Sequence, residues 1–421
     1  EIVDKERQTT NVLVACSGDI FSGNPVVDYY PEKGFPIIDV MNEVGFDISV
    51  IGNHEFDYGQ EILKKRMAQA DFEWVCANVD MGTTGIPEPA EYKTIQIDDL
   101  KVTFLGLVET NGKQDGIIPS THPGKVKDFV FKRFENITGS YANIKKQEDS
   151  DIFVALTHLG TGSDFRLAQD FPYFDVIIGG HSHAQINEKV NNIPVYQTRG
   201  KLRSLGKIKM TIENKEITKL DYTLIDLNAY LAFDADLKAV IDGYNDEMKA
   251  TIDVKVGNSV ISHSSSLLGC FYTDALTSRL NVDLSFQNTG GIRAGLDQGE
   301  ITKREIYEMD PFNNSAYIYQ MSVAEVKTFL IGSKSGFYYS GSQISQNGDK
   351  VEIRSSNGTL LTDNTMLSIG INDYIPAVND AYFPSNPSIQ PFTTADALIY
   401  YLENTKSQVN YPSCGQYFRY D

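Results

Sequence analysis

The chain has few cysteines and no long apolar run. Its four cysteines among 421 residues include no Cys-x-x-Cys pair, which argues against a zinc knuckle or a thioredoxin-like redox site. Four cysteines in a chain of this size do not predict a disulfide framework. We expect Cys16 and Cys76, which lie in apolar strand-like segments, to be buried thiols. No apolar run approaches the ~20 residues that a transmembrane helix needs.

Basic residues are also in deficit. The chain has 37 Lys and Arg against 56 Asp and Glu, which gives a formal net charge of −19. A nucleic-acid or anionic-membrane partner would require a basic face, so the sequence predicts neither. Acidic surface groups that keep the protein soluble account for most of this charge. A phosphate substrate is still compatible with it if bound cations reverse the sign locally.

Histidine is scarce as well, and its placement is not scattered. Apolar strand-like runs cover residues 12–16, 48–51, 152–156 and 176–178. Each run leads into metal-capable residues, and these are Asp19, Asn53 with His54, His158, and His181 with His183. Ligands of open α/β sheets bind beyond the carboxyl ends of the strands, so we expect these side chains to meet there. We interpret the other two histidines, His122 and His263, as hydrogen-bonded surface groups.

Aspartate, asparagine and histidine together suit divalent first-row metals such as zinc, manganese or iron. Asp19 is the natural bridging ligand, because a carboxylate has two oxygens to share. Two metals about 3.5–4 Å apart would clamp a phosphoryl group and generate hydroxide at neutral pH. His54 could face the substrate, with Asp57 holding its ring nitrogen. The alternative for Asp57 is a cap on the following helix.

Length and pattern predict two domains joined by a helix. From residue 12 to about residue 227, short strands alternate with helical patterns. The charged stretch 234–252 is typical of a helix, since it is rich in aspartate at its start. Beyond it, helical patterns mix with hairpin signals at Asn347-Gly348 and Asn357-Gly358. We therefore expect domains over 1–230 and 253–421, with a linker helix over 231–252.

The C-terminal region holds a second group of candidate residues. A strand predicted over 282–286 leads to Asn288, Gly290, Gly291 and Arg293. Paired glycines let the backbone approach a ligand, and an arginine suits a phosphate or a carboxylate. Phe312 and Tyr382 lie on separate loops and could sandwich a planar base. From the residues alone, packing within the loops is the stronger interpretation of these two aromatics.

These motifs resemble those of a known family. Ser17-Gly18-Asp19, Gly52-Asn53-His54-Glu55-Phe56-Asp57, Thr157-His158-Leu159-Gly160 and Gly180-His181-Ser182-His183 are similar to the successive motifs of the calcineurin-like metallophosphoesterases. A second set of motifs is similar to the C-terminal domain of the bacterial-type 5′-nucleotidases. This set comprises Leu268-Gly269 with Thr273-Asp274-Ala275, Gln287-Asn288 through Arg293, and Pro311-Phe312. The resemblance covers nearly the whole chain, in the same order.

The resemblance implies a four-layer α/β/β/α metallophosphoesterase sandwich followed by a smaller α+β substrate-binding domain. It implies a metal-dependent phosphohydrolase, most simply a 5′-nucleotidase in which metal-bound water attacks phosphorus in line and releases phosphate from a nucleoside 5′-monophosphate. A 2′,3′-cyclic-nucleotide phosphodiesterase or a UDP-sugar hydrolase of the same family is the alternative. Members of the family rotate the C-terminal domain to carry substrate to the metals. Many bacterial relatives are exported to the periplasm or the cell surface.

The resemblance also implies a role for each matching residue. Asp19 would bridge two divalent ions, zinc, manganese or similar, and His183 would belong to one site. The other site would be completed by Asn53, His158 and His181. His54 and Asp57 resemble the catalytic dyad. The nucleoside would be held by Asn288, Gly290, Gly291, Arg293, Asn314 and Asp380, with Phe312 and Tyr382 as the aromatic pair that stacks the base.

The chain departs from the family pattern in three places. The family begins with an Asp-x-His pair of metal ligands on a strand upstream of Asp19, and this sequence has no such pair there. We expect the missing strand to lie upstream; the alternative is a one-metal variant or a non-catalytic nucleotide- or metal-binding protein. The loop of Tyr382 has Asn379-Asp380-Ala381 in place of Gly-Gly-Asp-Gly. A serine-rich run over 262–266 replaces the usual arginines. The sequence gives no prediction of metal identity, base preference or oligomeric state.

Overall fold

The computed structural model describes residues 1–420. Its helices are α1 (Ile2–Arg7), α2 (Pro25–Asp28), α3 (Phe35–Val44), α4 (Gln60–Gln69), α5 (Phe134–Ile137), α6 (Ile144–Gln147), α7 (Thr161–Asp170), α8 (Ala235–Ile252), α9 (Leu268–Leu280), α10 (Lys303–Met309), α11 (Val323–Gly332), α12 (Tyr374–Val378) and α13 (Thr394–Asn404). Within residues 1–420, none of these helices has the length and apolar character that a membrane crossing requires.

The strands are β1 (Ala15–Cys16), β2 (Ile48–Val50), β3 (Glu73–Val75), β4 (Val79–Asp80), β5 (Tyr92–Ile97), β6 (Leu100–Val108), β7 (Val130–Phe131), β8 (Ile152–His158), β9 (Val176–Gly179), β10 (Ile186–Val190), β11 (Ile193–Gln197), β12 (Ser204–Glu213), β13 (Glu216–Asp226), β14 (Lys255–Ser259), β15 (Leu284–Asn288), β16 (Gly299–Thr302), β17 (Ser315–Ser322), β18 (Gly336–Ser340), β19 (Gln343–Asn347), β20 (Lys350–Arg354), β21 (Met366–Asn372), β22 (Ser388–Thr393), β23 (Gln408–Val409) and β24 (Tyr417–Arg419). Short 3₁₀ turns lie between several of these elements, including His54–Phe56, Thr289–Gly291 and Asp380–Tyr382.

The chain divides into two compact units. The first comprises Glu1–Phe21 and Pro31–Tyr244, and the second comprises Ser22–Tyr30 and the chain from Asn245 onward. The helix predicted over 234–252 is present as α8, and the division between the units falls within it. No pattern in the sequence indicates that the short segment 22–30 departs from the first domain. The domain limits 1–230, 231–252 and 253–421 stay predictions.

The first unit contains two sheets that share a core. Parallel strands β1, β2 and β3 form the small sheet, and the large sheet has the order β10-β11-β9-β8-β6-β5. Val50 of the small sheet and Phe104 and Val154 of the large sheet lie in one buried cluster. Strand β8 is buried along its whole length, as a parallel strand covered on both faces should be.

Helices cover the two outer faces. Ile38 of α3 and Leu63 of α4 pack in a cluster with Trp74 of the small sheet. On the other side, Leu167 of α7 packs in a cluster with Phe153 of the large sheet. Phe153 and Val154 therefore face opposite layers, as the period of a strand requires. The layers run helix, sheet, sheet, helix, which confirms the predicted α/β/β/α architecture.

A long hairpin, β12 and β13, closes the first unit. Its turn residues, Asn214 and Lys215, lie between the strands at φ angles of 51° and 65°. Two consecutive positive φ angles are typical of the turn whose twist matches a two-residue hairpin. The two strands therefore form a hairpin whose two-residue turn lies between Glu213 and Glu216.

The second unit mixes helices with a six-stranded sheet, in the order β22-β17-β21-β15-β18-β24. Phe286 of β15, Phe329 of α11 and Ile369 of β21 share its buried core. Helices α10, α11 and α13 each begin with a capping box, in which a Thr or Ser side chain and an acidic side chain three residues on bind each other's backbone N–H. Such caps stabilise a helix by about 1 kcal/mol each. The predicted α+β character of this region is confirmed.

The sequence did not indicate that two of the four cysteines are bonded to each other. Cys270 of α9 and Cys414 form a disulfide bond across 144 residues of sequence. Their spacing carries no local signal, because only the tertiary fold brings the two together. Cys76 is a buried free thiol, as predicted, whereas Cys16 is half-buried. Burial raises the pKa of Cys76 to about 12 and that of Cys16 to about 11, so both thiols stay protonated at neutral pH.

The prediction that His263 is a surface group was wrong. Its side chain is buried, at 3% exposure, and not on the surface. Nδ1 lies 2.9 Å from the Ser259 hydroxyl, and Nε2 accepts a hydrogen bond of 2.9 Å from the backbone N–H of Tyr411. Both ring nitrogens therefore have hydrogen-bond partners inside the fold. Ser259 is four residues away in the sequence and Tyr411 is 148 residues away. His122 is half-buried, and its Nδ1 accepts from the backbone N–H of Gly124.

Candidate active site

The loops that follow β1, β2, β8 and β9 converge in the first unit. The loop after β1 carries Asp19, whose φ is 59°, and the loop after β9 carries His181, whose φ is 73°. Left-handed backbone at non-glycine residues is costly and often marks functional sites. Gly18 permits the close approach, because a Cβ there would lie 2.8 Å from Gly52 N and 2.9 Å from His158 Nδ1.

Three predicted metal ligands form a compact group. The ligand atoms of Asp19, His158 and His181 all lie within 4.8 Å of one another. His158 Nε2 lies 2.9 Å from Asp19 Oδ2. The fourth predicted ligand adjoins the group, since Asn53 Oδ1 lies 3.0 Å from His181 Nδ1. The structure therefore brings together four of the five residues that the sequence singled out as ligands.

The donor set fits a divalent first-row ion. His158 Nδ1 lies 2.5 Å from the carbonyl oxygen of Ser17 and donates to it, so Nε2 keeps its lone pair. That Nε2 is buried and lies 2.9 Å from Asp19 Oδ2, and a ligand histidine whose other ring nitrogen is held by a backbone carbonyl is the usual arrangement in metal sites. Two imidazoles, a carboxylate and an amide oxygen suit zinc, manganese or iron.

His183 lies apart from this group. It is exposed, and its φ is 52°. Its ring packs against Gly200, where a Cβ would approach Cγ of His183 to 2.8 Å. Within residues 1–420, the compact group comprises Asp19, His158 and His181 without His183. A second ion held by Asp19 and His183 stays a prediction.

Burial and neighbouring charges shift the pKa values of Asp19 and His158 in opposite directions. Burial raises the pKa of Asp19, but the charges of His158 and His54 outweigh it and hold the pKa well below its usual range. Burial lowers the pKa of His158, but Asp19 outweighs it and the pKa is raised. Burial and the neighbouring His158 lower the pKa of His181. Asp19 is therefore ionised and His181 neutral, as metal ligands must be.

The predicted pair of His54 and Asp57 is formed. His54 Nδ1 lies 2.6 Å from Asp57 Oδ2, and the backbone N–H of His54 donates to Asp19 Oδ1 at 2.9 Å. Burial raises the pKa of Asp57, but His54 outweighs it and the pKa is lowered. Helix α4 has Gly59 as its N-cap, so the alternative, that Asp57 caps this helix, is wrong.

Glu55 is a further residue of the site that was not predicted from the sequence. It is fully buried, and its carboxylate accepts from the backbone N–H groups of Asp19 at 3.0 Å, Ile20 at 2.5 Å and Gly52 at 2.5 Å. It therefore joins the loop after β1 to the loop after β2. The local sequence carries no signal for this role, because two of its three partners are 35 and 36 positions away.

Gln197 and Asp164 were overlooked as well. Gln197 Nε2 donates to the carbonyl oxygen of Gly180 at 2.5 Å, and its Oε1 accepts from Ala184 N at 3.1 Å. These bonds bracket the turn that carries His181. Asp164 accepts a hydrogen bond of 2.5 Å from the Thr157 hydroxyl, and burial raises the pKa of Asp164 to about 7. Nothing in the local sequence distinguishes either residue from a surface polar group.

The predicted glycine loop of the second unit follows β15. Asn288 ends that strand, and its Oδ1 accepts from Asn372 Nδ2 at 3.0 Å. Gly291 is buried, and a Cβ there would lie 2.3 Å from Gln287 Nε2 and 2.9 Å from Asn288 Oδ1. Gly290 is exposed, and a Cβ there would lie 3.8 Å from its nearest neighbour, Asn288 Nδ2. A side chain at 291 would therefore displace the amides of Gln287 and Asn288, whereas one at 290 would have room.

Arg293 and Phe312 are neighbours in the second unit. The guanidinium carbon lies 5.8 Å from the centre of the Phe312 ring, within range of a cation–π interaction. Asn314, two residues after Phe312, is buried, and its carbonyl oxygen accepts from Thr394 N at 2.9 Å. The structure thus anchors the loop that carries Phe312 and puts a positive charge beside its ring.

Asp380 and Tyr382 lie on a short 3₁₀ turn. Asp380 is exposed and Tyr382 is half-buried. The Tyr382 ring centre lies 6.5 Å from that of Phe329 in α11, and a Cβ on Gly332 would approach its hydroxyl oxygen to 2.3 Å. This packing agrees with Tyr382 as a loop-packing residue, and its role in base stacking stays a prediction.

Two family profiles match the chain in succession. Calcineurin-like phosphoesterases match residues 1–185, and the 5′-nucleotidase C-terminal domain matches residues 249–384. The first profile spans the loops of Asp19, His54, His158 and His181. The second spans the loops of the candidate residues in the second unit.

Curated relatives match most of this chain. A trifunctional nucleotide phosphoesterase of Bacillus subtilis is 25% identical, over 91% of this chain and 30% of that protein. An endonuclease of the same organism matches over 98% of this chain and 37% of itself. A 5′-nucleotidase of Vibrio cholerae is 24% identical, over 78% of this chain and 68% of that protein. The chain therefore spans about a third of the length of the two Bacillus relatives.

Solved structures share the fold. A 5′-nucleotidase precursor of Thermus thermophilus superposes with a TM-score of 0.85 at 21% identity, over 99% of this chain and 91% of its own. The sulfate thiohydrolase SoxB of the same organism has a TM-score of 0.81 at 16% identity, over 98% and 80%. At these identities the likeness establishes the fold alone.

Proposed function

Because the chain belongs to the 5′-nucleotidase family of calcineurin-like phosphoesterases, we propose that it is a metal-dependent phosphohydrolase that releases phosphate from nucleoside 5′-monophosphates. One observation carries the proposal. Asp19, His158 and His181 meet within 4.8 Å, and the His54–Asp57 pair adjoins them through the bond from His54 N to Asp19 Oδ1. A metal group beside an oriented imidazole is what phosphoryl transfer to water requires.

Two sets of residues would hold the metal ions. Asn53, His158, His181 and Asp19 would hold one divalent ion of the zinc or manganese class, and Asp19 with His183 would contribute to a second. Bound ions of this kind polarise the phosphoryl group and provide hydroxide at neutral pH. Glu55 fixes the backbone of Asp19 and Gly52, so the ligand loops need little rearrangement when an ion binds.

His54 would act on the substrate and not on the metal. Asp57 engages Nδ1 at 2.6 Å, which leaves Nε2 as the reactive nitrogen, and Nε2 lies 3.9 Å from Asp19 Oδ2. From this position it would donate a proton to the leaving oxygen or stabilise the charge on a phosphoryl oxygen. Asp57 would hold the ring in the orientation and tautomer that this step needs.

The second unit would recognise the nucleoside. Arg293 would bind an anionic or ribose oxygen, and Phe312 with Tyr382 would stack the base. The backbone and side chains around the substrate would come from Asn288, Gly290, Gly291, Asn314 and Asp380. The Vibrio cholerae relative bears the name 5′-nucleotidase, which supports a nucleoside 5′-monophosphate as the substrate.

We also propose that the protein is exported to the periplasm or the cell surface. The Cys270–Cys414 disulfide supports this location, because disulfides persist in oxidising compartments and are rare in the cytosol.

Phosphate release from a substrate panel tests the function. The panel is AMP and other nucleoside 5′-monophosphates, UDP-glucose, a 2′,3′-cyclic nucleotide and a plain aryl phosphate, after loading with manganese or zinc. We expect the nucleoside 5′-monophosphates to give the highest kcat/KM. Faster turnover of UDP-glucose or of the cyclic nucleotide would select the alternative activity. No release from any member, in a protein that binds both metal and AMP, would identify a non-catalytic binding protein instead.

A further inference from the structure

A closed loop over residues 109–121 adjoins the candidate metal group. Glu109 is the first residue after β6 and is buried, at 2% exposure. Its Oε1 accepts from Ser120 N at 2.5 Å, and its Oε2 accepts from Asn111 N at 2.6 Å. One carboxylate therefore binds both ends of the loop, and each of its oxygens has a backbone donor.

The base of this loop has little freedom. Gly112 N donates to the carbonyl oxygen of Ile118 at 2.9 Å, and a Cβ on Gly112 would lie 2.0 Å from the Pro119 carbonyl oxygen. Glu109 N donates to the carbonyl oxygen of His158 at 3.0 Å. The loop is thus fixed to the strand that supplies a candidate ligand.

The last two residues of the loop serve two different groups. The Ser120 carbonyl oxygen accepts from Asn53 Nδ2 at 3.0 Å, which turns Asn53 Oδ1 towards His181. The Thr121 hydroxyl donates to Asp57 Oδ1 at 2.8 Å, which leaves Oδ2 for His54. Consecutive residues therefore orient a candidate metal ligand and the partner of the candidate catalytic histidine.

We propose that Glu109 is a positioning residue that couples the metal group to the His54–Asp57 pair by closing the loop 109–121. Its effect on metal binding depends on the ligand group alone, whereas its effect on turnover rests on the proposed function. Glu109 is not part of the compact group of candidate ligands, and both of its oxygens accept backbone N–H groups. A glutamine could not replace it, since an amide has one acceptor oxygen and would face the second N–H with its own donor.

The chain offers a matched control at the opposite end of the same strands. Asp151 precedes β8, is buried at 7% exposure, and its Oδ2 accepts from Lys101 N near the start of β6 at 2.8 Å. Like Glu109, it is a buried carboxylate that holds backbone N–H. Unlike Glu109, it lies where β6 and β8 begin and not where they lead into the candidate ligands.

The first test is calorimetric titration of Mn²⁺ into the 421-residue chain. Glu109→Gln should weaken Mn²⁺ binding by about 10- to 100-fold, the usual cost of losing a residue that orients metal ligands. Asp151→Asn should change it by less than about 3-fold, although both variants should melt at lower temperature without metal. Equal affinity in Glu109→Gln and wild type would overturn the proposal, as would an equal loss in Asp151→Asn. So would a wild-type chain that binds no Mn²⁺, since there would be no ligand group to position.

A second pair of variants separates the two ends of the coupling. Thr121→Val removes the bond to Asp57 and should leave Mn²⁺ affinity unchanged while kcat for AMP falls and KM does not. Thr121→Ser keeps the hydroxyl and should restore kcat. If kcat does not respond to Thr121→Val in an active enzyme, the coupling to the His54–Asp57 pair is wrong. If the wild type binds Mn²⁺ but hydrolyses nothing, the proposed function fails, and the calorimetric test of Glu109 still decides its own question.

Discussion

In the first unit, Asn53, Asp57 and His158 are each less than a tenth exposed, whereas in the second unit Asp380 is exposed and Phe312 is half-buried. The buried residues are held by other side chains and by backbone groups from distant loops. Several candidate residues of the second unit lie on turns or loops and keep part of their side chains exposed to solvent. The difference matches the chemistry proposed for each unit, because metal and proton chemistry requires fixed geometry whereas recognition of a nucleoside tolerates adaptable loops.

If the first unit is the rigid one, its ligands should be irreplaceable. His158→Ala removes a ligand nitrogen whose orientation Ser17 fixes, and we expect Mn²⁺ affinity to fall by more than the ~100-fold upper limit for residues that only orient ligands. Phosphate release should fall to background. Metal content after dialysis measures the effect, with His122→Ala as the control. Retained metal and activity in His158→Ala would contradict the interpretation that the first unit is a rigid metal site.

The next effect in size concerns proton transfer. His54→Ala should keep its metal content, because the ligand group does not include His54, and should lose about 10²- to 10⁴-fold in kcat, the usual contribution of general acid–base catalysis. Asp57→Asn should keep metal as well and lose less. Elemental analysis and steady-state kinetics on the same preparations separate the two effects. Unchanged turnover in His54→Ala would remove this residue from the mechanism.

The contrast also explains what the sequence could and could not predict. The ligands follow apolar strands directly, so local pattern was enough to predict that Asp19, His158 and His181 meet, although β1 belongs to one sheet and β8 and β9 belong to the other. Glu55 and Glu109 were missed because their partners are backbone N–H groups, which carry no residue-specific signal. The Cys270–Cys414 pair was missed because 144 residues separate the two cysteines. Long-range contacts that no local pattern encodes are therefore the part that only the fold supplies.

The second unit nevertheless contains one rigid buried polar group. Asp310 is 1% exposed and accepts from Tyr272 at 2.7 Å and from Thr394 at 2.5 Å. Burial raises the pKa of Asp310 to about 6. A carboxyl whose pKa is raised on folding stabilises the fold below its unfolded pKa of about 3.9, and this stability is lost as pH rises through about 6.

Asp310→Asn should therefore flatten the pH dependence of stability. The wild type should lose roughly 3 kcal/mol between pH 4 and pH 7, from a pKa difference of about two units, and the variant should lose much less. Urea unfolding of both proteins at several pH values measures this, with the exposed Asp363→Asn as the control. A parallel fall in wild type and Asp310→Asn would show that the buried carboxyl does not carry the dependence.

The smallest effect is expected at Phe312, which is half-buried on a loop of the second unit. Phe312→Leu keeps an apolar side chain but removes the ring that would stack on a base, so KM for AMP should rise by about 2- to 10-fold, the value of an aromatic contact beyond its area. KM for ribose 5-phosphate, which has no base, should not change, and kcat should stay within about 2-fold for both. Tyr400→Leu is a matched control, because Tyr400 also has an arginine over its ring, with the Arg279 guanidinium 3.7 Å from the ring centre. An equal rise in KM for both substrates would show that Phe312 only packs the loop. A loss as large as that of His54→Ala would show that the second unit is as finely positioned as the first.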